Sequence, residues 1–135
     1  MKKVTIFILL IFAPLGLSAQ IKAPMIRFET ETIDYGDVAK GSDGVRNFVF
    51  KNTGDAPLEI QGVRSSCGCT IPKKPDAPIA PGEKGEITVR YDTNRLGVFR
   101  KTVTVNTNVV STSIIALKIK GNVMANQNTS LKVDL

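Results

Sequence analysis

Apolar residues in this chain recur at every second position in short runs, and turn residues close each run. Phe48 and Phe50 share one side of a run whose other side carries Asn47, Val49 and Lys51. Leu58 and Ile60 alternate with Glu59 and Gln61, and Ile87, Val89 and Tyr91 with Thr88, Arg90 and Asp92. Phe99, Val103 and Val105 alternate with Arg100, Thr102, Thr104 and Asn106, and Ile115, Leu117 and Ile119 with Ala116, Lys118 and Lys120. Successive side chains of a strand point to opposite faces, so a period of two describes strands with one buried face. No stretch after residue 20 carries the wider period of an amphipathic helix. Between the runs lie Gly41–Gly44, Asn52–Asp55, Pro81-Gly82, Asn94–Gly97 and Asn106–Asn108, built from residues that tolerate or preset turn dihedrals.

Two further extended pieces are expected at Met25–Glu31 and Ile33–Val38, giving about seven strands in all. That spacing predicts an all-β, antiparallel β-sandwich, with a closed eight-stranded barrel as the competing architecture. Phe48, Phe50, Leu58, Ile60, Ile87, Val89, Val103, Val105, Leu117 and Ile119 are expected to point inward. The proline-rich and charged stretch Lys73–Pro78 reads as a loop between the two halves of one domain.

The first nineteen residues carry a different signal. Lys2 and Lys3 precede an uncharged apolar run from Val4 to Leu17, and Ser18-Ala19 offers a small-residue cut before Gln20. This is the pattern of a secretory signal peptide, and the run is shorter than the ~20 residues of a spanning helix. The expected organisation is a signal peptide at 1–19, a short segment at 20–24, the sandwich at 25–123 and a tail at 124–135. The product is expected in the periplasm or outside the cell, with no stable membrane insertion after cleavage. Without Lys2 and Lys3, 16 basic residues face 12 acidic ones. That excess is scattered and lacks interleaved aromatics, so nucleic acid is not the expected partner.

The chain has no histidine. Ser–His and Cys–His nucleophile arrangements are therefore ruled out within it. Only Cys67-Gly68-Cys69 remains as a candidate for chemistry. In an extended strand these two Cα atoms would be ~6.5–7 Å apart, at the edge of disulfide reach, unless Gly68 bends the chain through a positive-φ turn. Closing so small a ring is worth only about 1.6 kcal/mol of chain entropy. No acidic residue lies between Glu59 and Asp76, whereas Arg64, Lys73 and Lys74 could favour thiolate if they reach the sulfurs. The motif admits a structural turn, a redox-active dithiol, an intermolecular disulfide, or a soft-ion site with Met25 or Met124 as thioether ligands. A closed zinc site would lack two ligands. No resident metal, no cofactor and no catalytic residue is expected. Ser65 and Ser66 are expected to satisfy backbone groups around the turn, and Asp34, Asp37 and Asp43 to act in turns and caps.

Asn52-Thr53-Gly54, Cys67-Gly68-Cys69-Thr70, Pro81-Gly82-Glu83 and Gly97-x-Phe99 together make the chain resemble a known family. It is the bacterial exported family catalogued as domain of unknown function 1573, over about Phe28 to Val123. The resemblance implies an immunoglobulin-like sandwich related to major sperm protein, and a non-enzymatic exported domain. It brings no catalytic residues with it. The expected function is protein recognition or assembly at the cell envelope, with another protein as partner. The alternative is a thiol–disulfide redox protein using Cys67 and Cys69.

Overall fold

The structure, a computed structural model, describes Gly16, Ser18 and residues 20–126. The expected signal peptide and most of the tail lie outside the described residues. Eight strands follow in chain order: β1 (Ile26–Phe28), β2 (Thr32–Ala39), β3 (Val45–Asn52), β4 (Ile60–Ser65), β5 (Thr70–Lys73), β6 (Lys84–Tyr91), β7 (Gly97–Thr107) and β8 (Ile114–Met124). They form two four-stranded sheets, ordered β1-β3-β6-β5 and β2-β8-β7-β4. The molecule is an open sandwich and not a closed barrel. Every pairing is antiparallel except β2 with β8, which run parallel.

The alternation places the core as expected. Phe48, Phe50, Leu58, Ile87, Val89, Val103, Val105 and Leu117 are wholly buried, with Ile60 and Ile119 nearly so. Burying side chains of this size is the main favourable contribution to folding. The element boundaries need three corrections. The strand expected over Met25–Glu31 is only Ile26–Phe28, because the chain leaves one sheet there and enters the other at Thr32. Leu58 makes an isolated bridge with Ile79, and the strand proper begins at Ile60 and continues to Ser65. Lys73, expected in a loop, closes a strand beginning at Thr70. That strand escaped the period-two reading because its four residues include Pro72 and Lys73, and its buried face starts with a threonine.

The two ends of the sandwich are finished differently. At one end, where β3 stops and β6 begins, Asn52 is completely buried and uses all of its amide. Its Oδ1 accepts from the amides of Gly54 (3.0 Å) and Met25 (3.4 Å), and its Nδ2 donates to the carbonyls of Ala56 (2.8 Å) and Ile79 (3.0 Å). Two acceptor lone pairs and two donor hydrogens are the full capacity of this side chain. Its backbone adds bonds from Gly82 N and to Glu83 O. Gly82, at φ 80°, forms the third residue of an Ala80–Glu83 turn closed by Glu83 N donating to Ala80 O at 3.0 Å, a type II geometry with Pro81 before the glycine. Asn52-Thr-Gly and Pro-Gly-Glu are thus two halves of one hydrogen-bonded end.

The other end is aromatic. Tyr91 stacks on Phe99 with ring centroids 3.8 Å apart, and Tyr35 meets Phe99 edge-on at 5.3 Å. A Cβ at Gly121 would sit 2.8 Å from both Phe99 Cζ and Tyr35 Cβ, so only glycine lets these rings approach β8. The Tyr35 hydroxyl donates to Gly44 O at 2.8 Å, and the Arg46 guanidinium covers the ring at 4.3 Å. Burial pushes the Tyr35 phenol up to about 12, against the opposing pull of Arg46.

Candidate functional site

The two cysteines lie at the aromatic end, on the crossing between sheets. β4 ends at Ser65, and the chain turns through Ser66–Cys69 to start β5 at Thr70. Ser65 Oγ accepts from Cys67 N at 3.3 Å, and Ser66 Oγ accepts from Thr102 N at 3.1 Å, tying the turn to β7 as the serines were expected to do. Cys69 O accepts from Asp92 N, and Thr70 N donates to Cys67 O. Bent this way, Cys67 and Cys69 approach to 5.4 Å between Cα atoms and are joined by a disulfide. This separation falls within the usual disulfide range. Gly68 does not reach it through a positive φ, as the sequence suggested, because the positive-φ glycines are Gly36, Gly41, Gly82 and Gly97. The bend comes instead from the Ser65 and Cys67 hydrogen bonds on either side.

The two sulfurs differ in environment. Cys69 is buried at 7% exposure, whereas Cys67 is half-buried against the core. Cys69 N donates to Cys67 Sγ at 3.3 Å. Thr70 is 3% exposed, and its hydroxyl lies 4.0 Å from each sulfur. Among the described residues that hydroxyl has no other hydrogen-bond partner.

The cations singled out by sequence are not gathered here. Arg64 stands exposed on β4 opposite Thr104, Lys73 is exposed at the end of β5, and Lys74 Nζ donates to Pro75 O at 3.5 Å. No hydrogen bond links any of the three to a sulfur. Met25 belongs to the Asn52 end, where its amide meets Asn52 Oδ1, so it does not share a site with the cysteines. The polar groups that do reach the sulfurs, the Cys69 amide and the Thr70 hydroxyl, belong to the motif itself. A cleft of about 500 Å³ opens beside the turn, bounded by Gly68, Cys69, Ile71, Arg90 and the Gly41–Val45 loop. Two of the aspartates bond as turn residues, Asp34 Oδ1 accepting from Gly36 N and Asp43 Oδ1 from Val45 N, both at 2.9 Å, whereas Asp37, expected in the same role, lies in β2 and accepts from Asn122 Nδ2 at 3.3 Å.

Sequence reasoning missed a second site, at the Asn52 end. β2 begins pairing at Thr32, opposite Lys118, so the first four residues of β8, Ile114–Leu117, have no neighbour on that side. Thr107 N donates to Ser113 O, and Lys118 N donates to Glu31 O. The alternation of an antiparallel ladder therefore turns the peptide groups of Ile114 and Ala116 away from β7. Likewise Glu29 N donates to Val49 O and Thr53 N to Met25 O, which turns those of Ile26 and Phe28 outward from β1. Between these two edges lies a groove of about 550 Å³ lined by Ile26, Phe28, Ile114 and Ile115, with Arg27 and Glu31 at its rim. Ile114 is 67% exposed. The opposite flank is closed to such pairing. Asp92 N bonds Cys69 O, so the same alternation puts the ring nitrogen of Pro72 on the free edge of β5, where it offers no donor.

Two packed four-stranded sheets, antiparallel but for the β2–β8 pair, form an immunoglobulin-like sandwich. A family described as "Protein of unknown function (DUF1573)" matches residues 26–123, and the chain belongs to it. Among solved structures, it is similar to a protein of unknown function from Porphyromonas gingivalis W83, with TM-score 0.67 and 15% identity. That match covers 79% of this chain and 51% of the other, so the chain spans about half the length of that protein. The human CEP192 PapD-like domain 7 matches with TM-score 0.63 and 7% identity, over 93% of this chain and 98% of that one. The CsuC–CsuE chaperone–tip adhesion subunit pre-assembly complex of Acinetobacter baumannii matches with TM-score 0.52 and 15% identity, over 73% of this chain and 56% of that one. At these identities the likeness is one of fold. No curated protein matches the chain.

Proposed function

We propose that this is an exported, non-enzymatic recognition domain that takes up an extended segment of another protein along the groove between β1 and β8. The observation that carries this is the uncovered foot of β8, where the peptide groups of Ile114 and Ala116 face an apolar groove instead of a strand. An unpaired edge is a template for strand addition, and here apolar walls give alternate side chains of the incoming strand somewhere to lie. The fold agrees, since a chain of similar fold was solved within a chaperone–tip adhesion subunit complex. The basic start, apolar run and Ala19 cut support export, and a disulfide suits an oxidising compartment.

The test places a photo-crosslinking amino acid at position 114, with position 73 as control, in the native envelope. Crosslinks to the same protein are expected at 114 and not at 73. Ala116→Pro removes one outward amide from the unpaired foot of β8, where no ladder hydrogen bond is lost and proline is tolerated. It should abolish those crosslinks while the melting temperature stays within a few degrees. Equal crosslinking at both positions, or crosslinks that survive Ala116→Pro, would refute strand addition at this edge. Intact mass of the envelope form should begin at Gln20, and material retaining Met1 would contradict export.

A further inference from the structure

Two hydrogen-bond donors lie against the disulfide, the Cys69 amide and the Thr70 hydroxyl. A disulfide sulfur is a weak hydrogen-bond acceptor and a thiolate a strong one. The Thr70 hydroxyl, 3% exposed, has only the two sulfurs at 4.0 Å as partners. A buried hydroxyl without a good acceptor is unfavourable, and reduction would give it one. The Cys69 amide already points at Cys67 Sγ from 3.3 Å. The amide thus favours the more exposed sulfur, and the hydroxyl, equally near both, can turn to whichever carries the charge; donors so placed lower a thiol's pKa and stabilise the reduced state. Cys69, at 7% exposure, lies behind it. An accessible sulfur with donors around it and a shielded sulfur within bonding distance divide the roles of a redox pair.

We infer that Cys67–Cys69 is a thiol–disulfide exchange centre that accepts two electrons from a dithiol, with Cys67 as the sulfur attacked and Cys69 as the one released. A thiolate of the dithiol attacks Cys67 Sγ, the Cys67–Cys69 bond breaks, and Cys69 leaves with the bonding pair and takes a proton from water. The second thiolate of the dithiol then attacks its own sulfur in the mixed disulfide and expels Cys67 as a thiolate, held by the Cys69 amide and the Thr70 hydroxyl. The dithiol, entering as two thiolates, becomes a disulfide, and the pair becomes a Cys69 thiol and a Cys67 thiolate, so two electrons move and the one proton taken up comes from water. Thr70 acts as a positioning residue. The centre lies at the opposite end from the β1–β8 groove, so neither proposal depends on the other.

The experiment uses the mature chain and dithiothreitol as the dithiol, with alkylation and mass spectrometry as readout and circular dichroism to follow the fold. Millimolar dithiothreitol should reduce the pair while the domain remains folded. In the reduced protein at pH 7, Cys67 should alkylate at least tenfold faster than Cys69. Thr70→Val should raise the pH midpoint of Cys67 alkylation and raise several-fold the ratio of reduced to oxidised dithiothreitol at which half of the pair is reduced. Thr70→Ser, which keeps the hydroxyl, should restore both values. A pair that stays oxidised until the domain unfolds, equal alkylation of the two cysteines, or a Thr70→Val protein that titrates like its parent would each overturn the assignment.

Discussion

The Asn52 end and the Cys67 end of the sandwich solve the same problem by opposite means. Each must join the two sheets where strands stop and loops begin. At the Asn52 end one side chain takes four hydrogen bonds from three separate loops, and every donor and acceptor is used. Removing any partner leaves buried polar groups with nothing to bond, so this end tolerates a single arrangement. The Cys67 end relies on a stacked Tyr91–Phe99 pair and a covalent bond across one residue, with a hydroxyl left without a strong acceptor. Polar satisfaction locks a structure, whereas an incompletely satisfied covalent turn leaves it a second state to enter.

The largest effect that bears on this contrast is packing. Phe50, which adjoins Asn52 in β3 and lies 5.5 Å from Phe28, should cost about 3–5 kcal/mol on Phe50→Ala, measured by urea unfolding. Asn52→Ala should follow at about 3 kcal/mol, because it leaves buried groups of separate loops unpaired. The double change Cys67→Ser with Cys69→Ser should leave the fold intact and cost less than about 2 kcal/mol, since a three-residue ring is worth only about 1.6. If it cost as much as Asn52→Ala, the disulfide would be a structural lock and the contrast between the ends would fail.

Tyr35→Phe should cost about 1 kcal/mol, as Gly44 O keeps its bond from Tyr91 N at 3.0 Å after the phenol is gone. It should also change the alkaline limb of the stability curve. A folded pKa of about 12 against the ordinary 10.0 means that the folded protein holds the proton more tightly. Its contribution is complete below pH 10 and is lost as pH rises towards 12. The variant should lack that part of the loss, seen by comparing unfolding midpoints of the two proteins across this window. Thr104→Ala, on the outer face between Arg64 and Ala116, should stay within about 0.5 kcal/mol.

What could be read in the sequence was whatever repeats locally. Period-two alternation found the inward face of β3, β6, β7 and β8, because each carries several apolar residues on one side. β5 was missed because Thr70 and Pro72, its inward positions, are not an apolar alternation. Asn52 was read as a turn residue, and so it is, but its burial depends on Met25, Ala56 and Ile79 arriving from distant loops. The cysteine motif was visible, though the groups touching its sulfurs were not the charged ones that composition favoured. The β1–β8 groove had no signature at all. It exists because the N-terminal strand changes sheets between Phe28 and Thr32, and a gap of that kind belongs to topology.

The place of β8 in its sheet has a bearing on when the molecule can fold. It lies between β2 and β7 and is the last of the eight described strands, so β2 has no partner in its sheet until β8 has been made. Contacts between β2 and β8 span most of the described chain, and such long-range pairings form slowly. The tie between the second and the eighth strand therefore makes the closing of this sheet a late event, after β4 and β7 can already have paired.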